Sequence, residues 1–186
     1  MKLKVITSNP GKVAEYQKSF DDLGIVMEHT KVPYYEVQTS ELEEVVAKGL
    51  EELRSEGLSN FIIDDSGLFV DALGGFPGVY SAYVQKTLGN KGVLKQMEGI
   101  TDRRAQFKCC IGCDIDGETI IVTGTCDGEI LFEEKGTEGF GYDPIFTPDG
   151  EKSFAEIDIE KKNEISHRGN AVKLFREKLI EGGFLK

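Results

Sequence analysis

Asp64 and Asp65 close an apolar run, Phe61-Ile62-Ile63, and Ser66-Gly67 follow at once. Such a run predicts a strand buried between layers, where a free carboxylate must change its proton affinity or find a cation. In open α/β sheets, ligands gather outside the C-terminal ends of strands. Carboxylates expected at such an end point to a divalent metal site or a general base. Successive side chains on a strand face opposite sides. One aspartate should therefore be the working group and its neighbour a supporter or second ligand.

A second candidate is the segment Thr7-Ser8-Asn9-Pro10-Gly11-Lys12. Asn9 suits an N-cap and Pro10 the first helical position. Free backbone N–H groups at that helix start, the Thr7 and Ser8 hydroxyls and the Lys12 ammonium would suit a phosphate. It is not a Walker A loop, which would want Gly at Ile6 and Ser or Thr at Val13. An ordinary strand-to-helix turn with a solvated lysine fits the same residues.

Further along, Gly139-Phe140-Gly141-Tyr142-Asp143-Pro144 places an aromatic between two glycines. The glycines let backbone approach a ligand while Phe140 or Tyr142 stacks on a flat ring, or else the aromatic plugs the core. Ser166-His167-Arg168 opens the last amphipathic segment. There Arg168 offers a planar fork to carbonyl or phosphate oxygens, and His167 a donor near neutrality. Lys161 and Lys162, just upstream, are a second phosphate contact or solvated charge. Glu36, in a short extended stretch, means little by itself. With only His29 and His167 in the chain, a metal would be a hard, oxygen-bound ion such as Mg²⁺.

The composition limits the alternatives. A chain of 186 residues suits one domain with a full core. Its net charge of −11 argues against a duplex nucleic acid partner, which needs a basic face. Met1 to Ile6 alternates lysine with apolar residues and lacks the longer apolar core expected of a signal peptide. No stretch approaches the ~18 apolar residues of a membrane span. The expected compartment is the cytoplasm. Cys110 and Cys113 have CxxC spacing, but on a predicted strand over 105–115 they face opposite sides. Reduced, buried strand cysteines are expected at Cys109, Cys110, Cys113 and Cys126, rather than zinc.

The elements that would position these groups follow from periodicity. A strand over 2–7 leads into a helix from Pro10 to Leu23, closed by Gly24. A strand over 25–29 precedes a helix starting near Ser40, where Ser40 and Glu43 would form a capping box. Strand three is expected over 60–64 and a helix over 91–97. Residues 105–115 and 119–126 flank the Asp116-Gly117 turn. Asp127-Gly128 predicts another turn into a third antiparallel strand reaching Phe132. A strand around 145–147 and a helix over 166–180 complete the chain. Helices alternating with strands, then a meander, predict an α/β fold with a mixed sheet and flanking helices.

Four strings, TSNPGK (7–12), DDSGLFVDALGGFPGVYSA (64–82), GFGYDP (139–144) and SHRGNA (166–171), together resemble the inosine triphosphate pyrophosphatase family. The resemblance runs in order through nearly the whole chain. It implies Mg²⁺-dependent hydrolysis of non-standard purine nucleoside triphosphates to the monophosphate and pyrophosphate, with Mn²⁺ as a possible substitute metal. It implies that Thr7 to Lys12 hold the triphosphate, with Asp65 as general base and metal-associated carboxylate. Asp64 would assist, Glu36 would be a metal ligand, and Ser66 would contact substrate. Phe140, Gly141, Tyr142 and Asp143 would flank the base. Lys162, His167 and Arg168 would contact phosphate or the purine's 6-oxo edge. The family fold is elongated, with two lobes around a central cleft, and usually a homodimer. A non-catalytic nucleotide sensor and a pyrophosphatase for modified pyrimidines are the competing readings.

Overall fold

The computed structural model describes residues 1–184. Strand β1 (Lys2–Ile6) runs parallel to β2 (Val26–Thr30) and to β3 (Phe61–Val70). Strands β4 (Arg104–Ile115), β5 (Glu118–Ile130) and β6 (Phe146–Thr147) complete the sheet. Among the described residues it has six strands in the order β2-β1-β3-β4-β5-β6. Asp116 and Gly117, both at positive φ (51° and 85°), form the tight link between β4 and β5, as a type I′ turn requires. β6 pairs antiparallel with the end of β5, so the sheet is mixed and the α/β expectation holds.

The helices are α1 (Pro10–Phe20), α2 (Leu42–Ser55), α3 (Ser81–Thr87), α4 (Gly89–Gln96), α5 (Ile159–Ile165) and α6 (His167–Glu181). The chain divides into two compact units. The first holds Met1–Asp65, Cys110–Gly124 and the chain from Ala171 onward; the second holds Ser66–Cys109 and Thr125–Asn170.

In the first unit, α2 buries Leu42, Val45, Val46, Leu50 and Leu53 on one stripe, as its period demands. Gly112 lets that helix lie directly on β4, since a Cβ there would collide with Val46 and crowd Leu50. Phe20 of α1 meets Phe175 of α6 edge-on at 5.6 Å, and Arg176 clamps Asp22 at 2.7 Å. In the second unit the core gathers Phe107, Phe146 and Phe154 with Leu68, Val70, Val93 and Ile130. The ring centroids of Phe107 and Phe146 lie 4.6 Å apart.

Four features differ from the sequence expectation. β3 does not stop at Asp64 but continues to Val70, so the aspartates are interior to a strand. β5 is unbroken through Asp127-Gly128. Gly128 serves close approach rather than a turn, because a Cβ there would strike Thr147 O and the Phe146 ring. The Ser40–Glu43 capping box does not form: α2 begins at Leu42 without a side-chain cap. The Glu43 carboxylate is taken instead by the Thr123 hydroxyl at 2.5 Å. Finally, α3 and α5 are short helices that periodicity did not indicate. The four cysteines are buried and free, as expected for strand thiols.

Candidate active site

The first loop folds around its own polar groups. Asn9 Oδ1 accepts from the Gly11 amide at 2.9 Å, and Thr7 Oγ1 accepts from the Asn9 amide at 3.1 Å. The Lys12 amide donates to Asn9 O at 3.2 Å, and Pro10 has no N–H. Asn9 is thus the N-cap foreseen, but the amides expected to face an anion are bonded within the loop. What remains to meet a ligand is the exposed Ser8 and the Lys12 ammonium. His29 Nε2 lies 2.9 Å from Thr7 O and ties the loop to the end of β2.

Asp64 and Asp65 stand where β3 has just outrun its parallel partner. Lys4 pairs with Phe61 and Val5 with Ile62, and β1 ends one residue later. The interruption of the ladder, not the end of β3, opens that edge. Asp64 is 8% exposed, and Lys12 Nζ sits 2.9 Å from its Oδ2. Asp65 and Ser66 are half-buried.

Tyr34 belongs to the same unit and shares this neighbourhood. Burial first, then the charges of Glu36, Asp64 and Asp65, push its phenol well above the ordinary range. One ring therefore lies within electrostatic reach of all three candidate carboxylates. Gly49 makes room for it, since a Cβ there would sit 2.9 Å from the Tyr34 ring. Tyr35 N donates to Glu52 Oε2 at 3.0 Å and anchors the exposed Glu36 segment to α2. Among the described residues, no three His, Cys, Asp or Glu side chains form a cage for a metal.

In the second unit, the 139–144 loop closes on Asp143, which is 3% exposed. Asp143 Oδ2 accepts from the Phe140 amide at 2.8 Å and from Lys162 Nζ at 2.6 Å. Gly139 permits this closure, because a Cβ there would collide with the Asp143 carboxylate. Phe140 is 60% exposed, with Lys162 Nζ at 5.1 Å and the Arg168 guanidinium at 5.8 Å from its ring centroid. Tyr142 instead points inward and donates its hydroxyl to Ser81 O at 2.7 Å. Ser166 Oγ accepts from the Gly169 amide at 3.1 Å, capping α6 so that His167 and Arg168 fall in its first turn. His167 stacks on Phe107 with centroids 4.6 Å apart.

Two polar groupings thus emerge: Lys12 with Asp64, next to Asp65 on the same strand, and Phe140 with Asp143, Lys162 and Arg168. The sequence matches the profile of the Ham1 family over residues 3–178. The chain belongs to the Ham1 family. A dITP/XTP pyrophosphatase of Pyrococcus horikoshii is 52% identical over 178 residues, covering 95% of this chain and 96% of that protein. Its counterpart from Thermococcus kodakarensis is 50% identical over 182 residues, covering 97% and 98%. Among solved structures, the Staphylococcus aureus Ham1 protein matches with a TM-score of 0.86 at 35% identity, covering 98% of this chain and 100% of that one. A HAM1 protein from Coxiella burnetii gives 0.87 at 34% identity, covering 97% and 99%.

Sequence reasoning missed Tyr34 and Phe107. Tyr34 lies outside any regular element, so no period marks its inward face. Phe107 reads as one more apolar residue on a strand, and only the fold brings His167 against it.

Proposed function

We propose that this chain hydrolyses non-standard purine nucleoside triphosphates, ITP, dITP and XTP, to the monophosphate and pyrophosphate. The observation that carries this function is the Lys12–Asp64 pair, which sets the first-loop ammonium beside the Asp64 carboxylate within one unit. The names of the Pyrococcus and Thermococcus relatives support the same substrate class.

Glu36, Asp64 and Asp65 would each offer a hard carboxylate oxygen, and Mg²⁺ needs no three-residue cage: it usually takes one or two carboxylates and completes its shell with water and substrate phosphates. The donor chemistry therefore fits Mg²⁺, with Mn²⁺ as a substitute. When bound, the cation neutralises the triphosphate and polarises the reacting phosphoryl group. Lys12 and the Ser8 hydroxyl hold phosphate oxygens, which supplies the positioning and charge stabilisation that phosphoryl transfer needs. Asp65 accepts a proton from the water that attacks the α-phosphorus. The bond to the bridging oxygen breaks, and its electron pair departs with pyrophosphate.

Phe140 stacks on the purine, and His167 and Arg168 donate to its 6-oxo oxygen. Adenine presents an amino group at that position, so buried donors would be left unpaired against ATP. The protein acts in the cytoplasm as a homodimer, which light scattering on the purified chain would test. The decisive experiment is pyrophosphate release from ITP, XTP, dUTP and the ordinary triphosphates, with Mg²⁺ and with EDTA. Release from ITP and XTP that EDTA abolishes is the expected result. Equal kcat/KM for ATP and ITP would remove the base-reading role, and binding without release would leave a sensor.

A further inference from the structure

We infer that Gln85 of α3 and Asn90 of α4 are positioning residues for the purine-contacting loop, an inference that rests on the proposed function. Both carboxamides converge on one acceptor: Gln85 Nε2 and Asn90 Nδ2 each donate to Gly141 O at 3.1 Å. Gly141 lies between the exposed Phe140 and the buried Tyr142, and its φ is 62°, a left-handed conformation that needs fixing from outside. A carbonyl oxygen has two lone pairs, and here each is met from a different helix.

The amide orientations are not arbitrary. Gln85 Oε1 and Asn90 Oδ1 are buried and have no partner among the described residues. Turning either amide over would press its oxygen against Gly141 O. The two unpaired acceptors therefore mark how firmly Gly141 O dictates the arrangement. Tyr142 adds a third tether to α3 through Ser81 O. Ser81 Oγ is itself fixed, accepting from the Leu68 amide at 2.8 Å and donating to Gly78 O at 2.6 Å. The Phe140 ring is thus presented on a loop pinned on its Gly141 side by two amides and on its Asp143 side by Lys162.

Two donors on one oxygen predict redundancy. Removing either leaves Gly141 O with one partner, whereas removing both strips a partly buried carbonyl of both donors. The test uses the full chain in four principal proteins, wild type, Gln85→Ala, Asn90→Ala and the double variant, with Asn90→Asp as a fifth. For ITP, each single change should raise KM by no more than about threefold and the double change by about thirtyfold or more. Turnover number and Tm should stay near wild type. Inhibition by inorganic tripolyphosphate, which has no base, should be unchanged in all four. Asn90→Asp, isosteric but with a carboxylate oxygen set against Gly141 O in place of the donor, should raise KM at least as much as Asn90→Ala. Additive KM effects, an unchanged KM in the double variant, or equal weakening of tripolyphosphate would overturn the assignment. Wild-type turnover of ITP tests the proposed function separately. Without turnover, the same four proteins are read by ITP Kd in calorimetry, with the same pattern required.

Discussion

Lys12 Nζ and Asp64 Oδ2 lie 2.9 Å apart, the ammonium mostly covered and the carboxylate almost wholly so. The helix start expected to bind phosphate and the strand expected to carry acid are joined by one ion pair. Removing one partner of a buried pair takes the counter-ion away from the other charge. Lys12→Met should therefore cost about 3 kcal/mol of stability, read as a lower urea midpoint. Because the two residues act as a unit, Lys12→Met with Asp64→Asn should cost less than the sum of the single changes. Strict additivity would show that the pair is not coupled.

Under the proposed function, Asp65 accepts the proton of the attacking water. Asp65→Asn keeps the shape and removes the base, so kcat for ITP should drop by at least about a hundredfold. Nucleotide affinity, measured by calorimetry, should hold within a few-fold. A variant turning over at the wild-type rate would take Asp65 out of the mechanism.

Gly128 allows β6 to approach β5. Gly128→Val would drive a branched side chain into Thr147 O and the Phe146 ring. Overpacking of this kind typically costs about 1–3 kcal/mol, and contact with a backbone oxygen leaves little room to relax. Thermal denaturation should show a clear fall in Tm. An unchanged Tm would mean that the strand pair tolerates widening.

Alkaline pH should weaken the fold. Burial, helped by Asp127, pushes the Cys126 thiol up to about 11 from its ordinary 9.0. Burial likewise raises Cys113 and Tyr142, and Tyr34 is raised by burial and by carboxylates. For Cys126, the unfolded chain releases a proton above pH 9 that the folded chain still holds. Its contribution is therefore complete below pH 9 and lost as pH rises through about 11. Urea midpoints should fall across that interval, and Cys126→Ala should flatten part of the decline. A level profile would contradict the burial of these groups.

Much of this arrangement was legible in the chain. The helix start at Asn9-Pro10, the apolar stripe of α2 and the Asp116-Gly117 hairpin each follow from local chemistry, and all form. What misled were residues whose local preference is overruled by distant partners. Asp127-Gly128 has the composition of a turn, yet Gly128 is small because the Phe146 ring needs the space. Ser40 and Glu43 have capping-box spacing, yet Thr123 draws the Glu43 carboxylate away. The aspartates at 64 and 65 were expected at a strand end, whereas it is the neighbouring strand that stops. Gln85 and Asn90 carry no motif at all: single amides on short helices gain meaning only when two of them reach the same carbonyl.

Every native thiol in this chain lies inside the protein. The surface therefore lacks an attachment point for maleimide dyes or spin labels under native conditions. A cysteine engineered at an outward position such as Phe132 would be modified selectively, without first stripping the interior sulfurs. Distance measurements by fluorescence or electron resonance could then begin from the unaltered sequence.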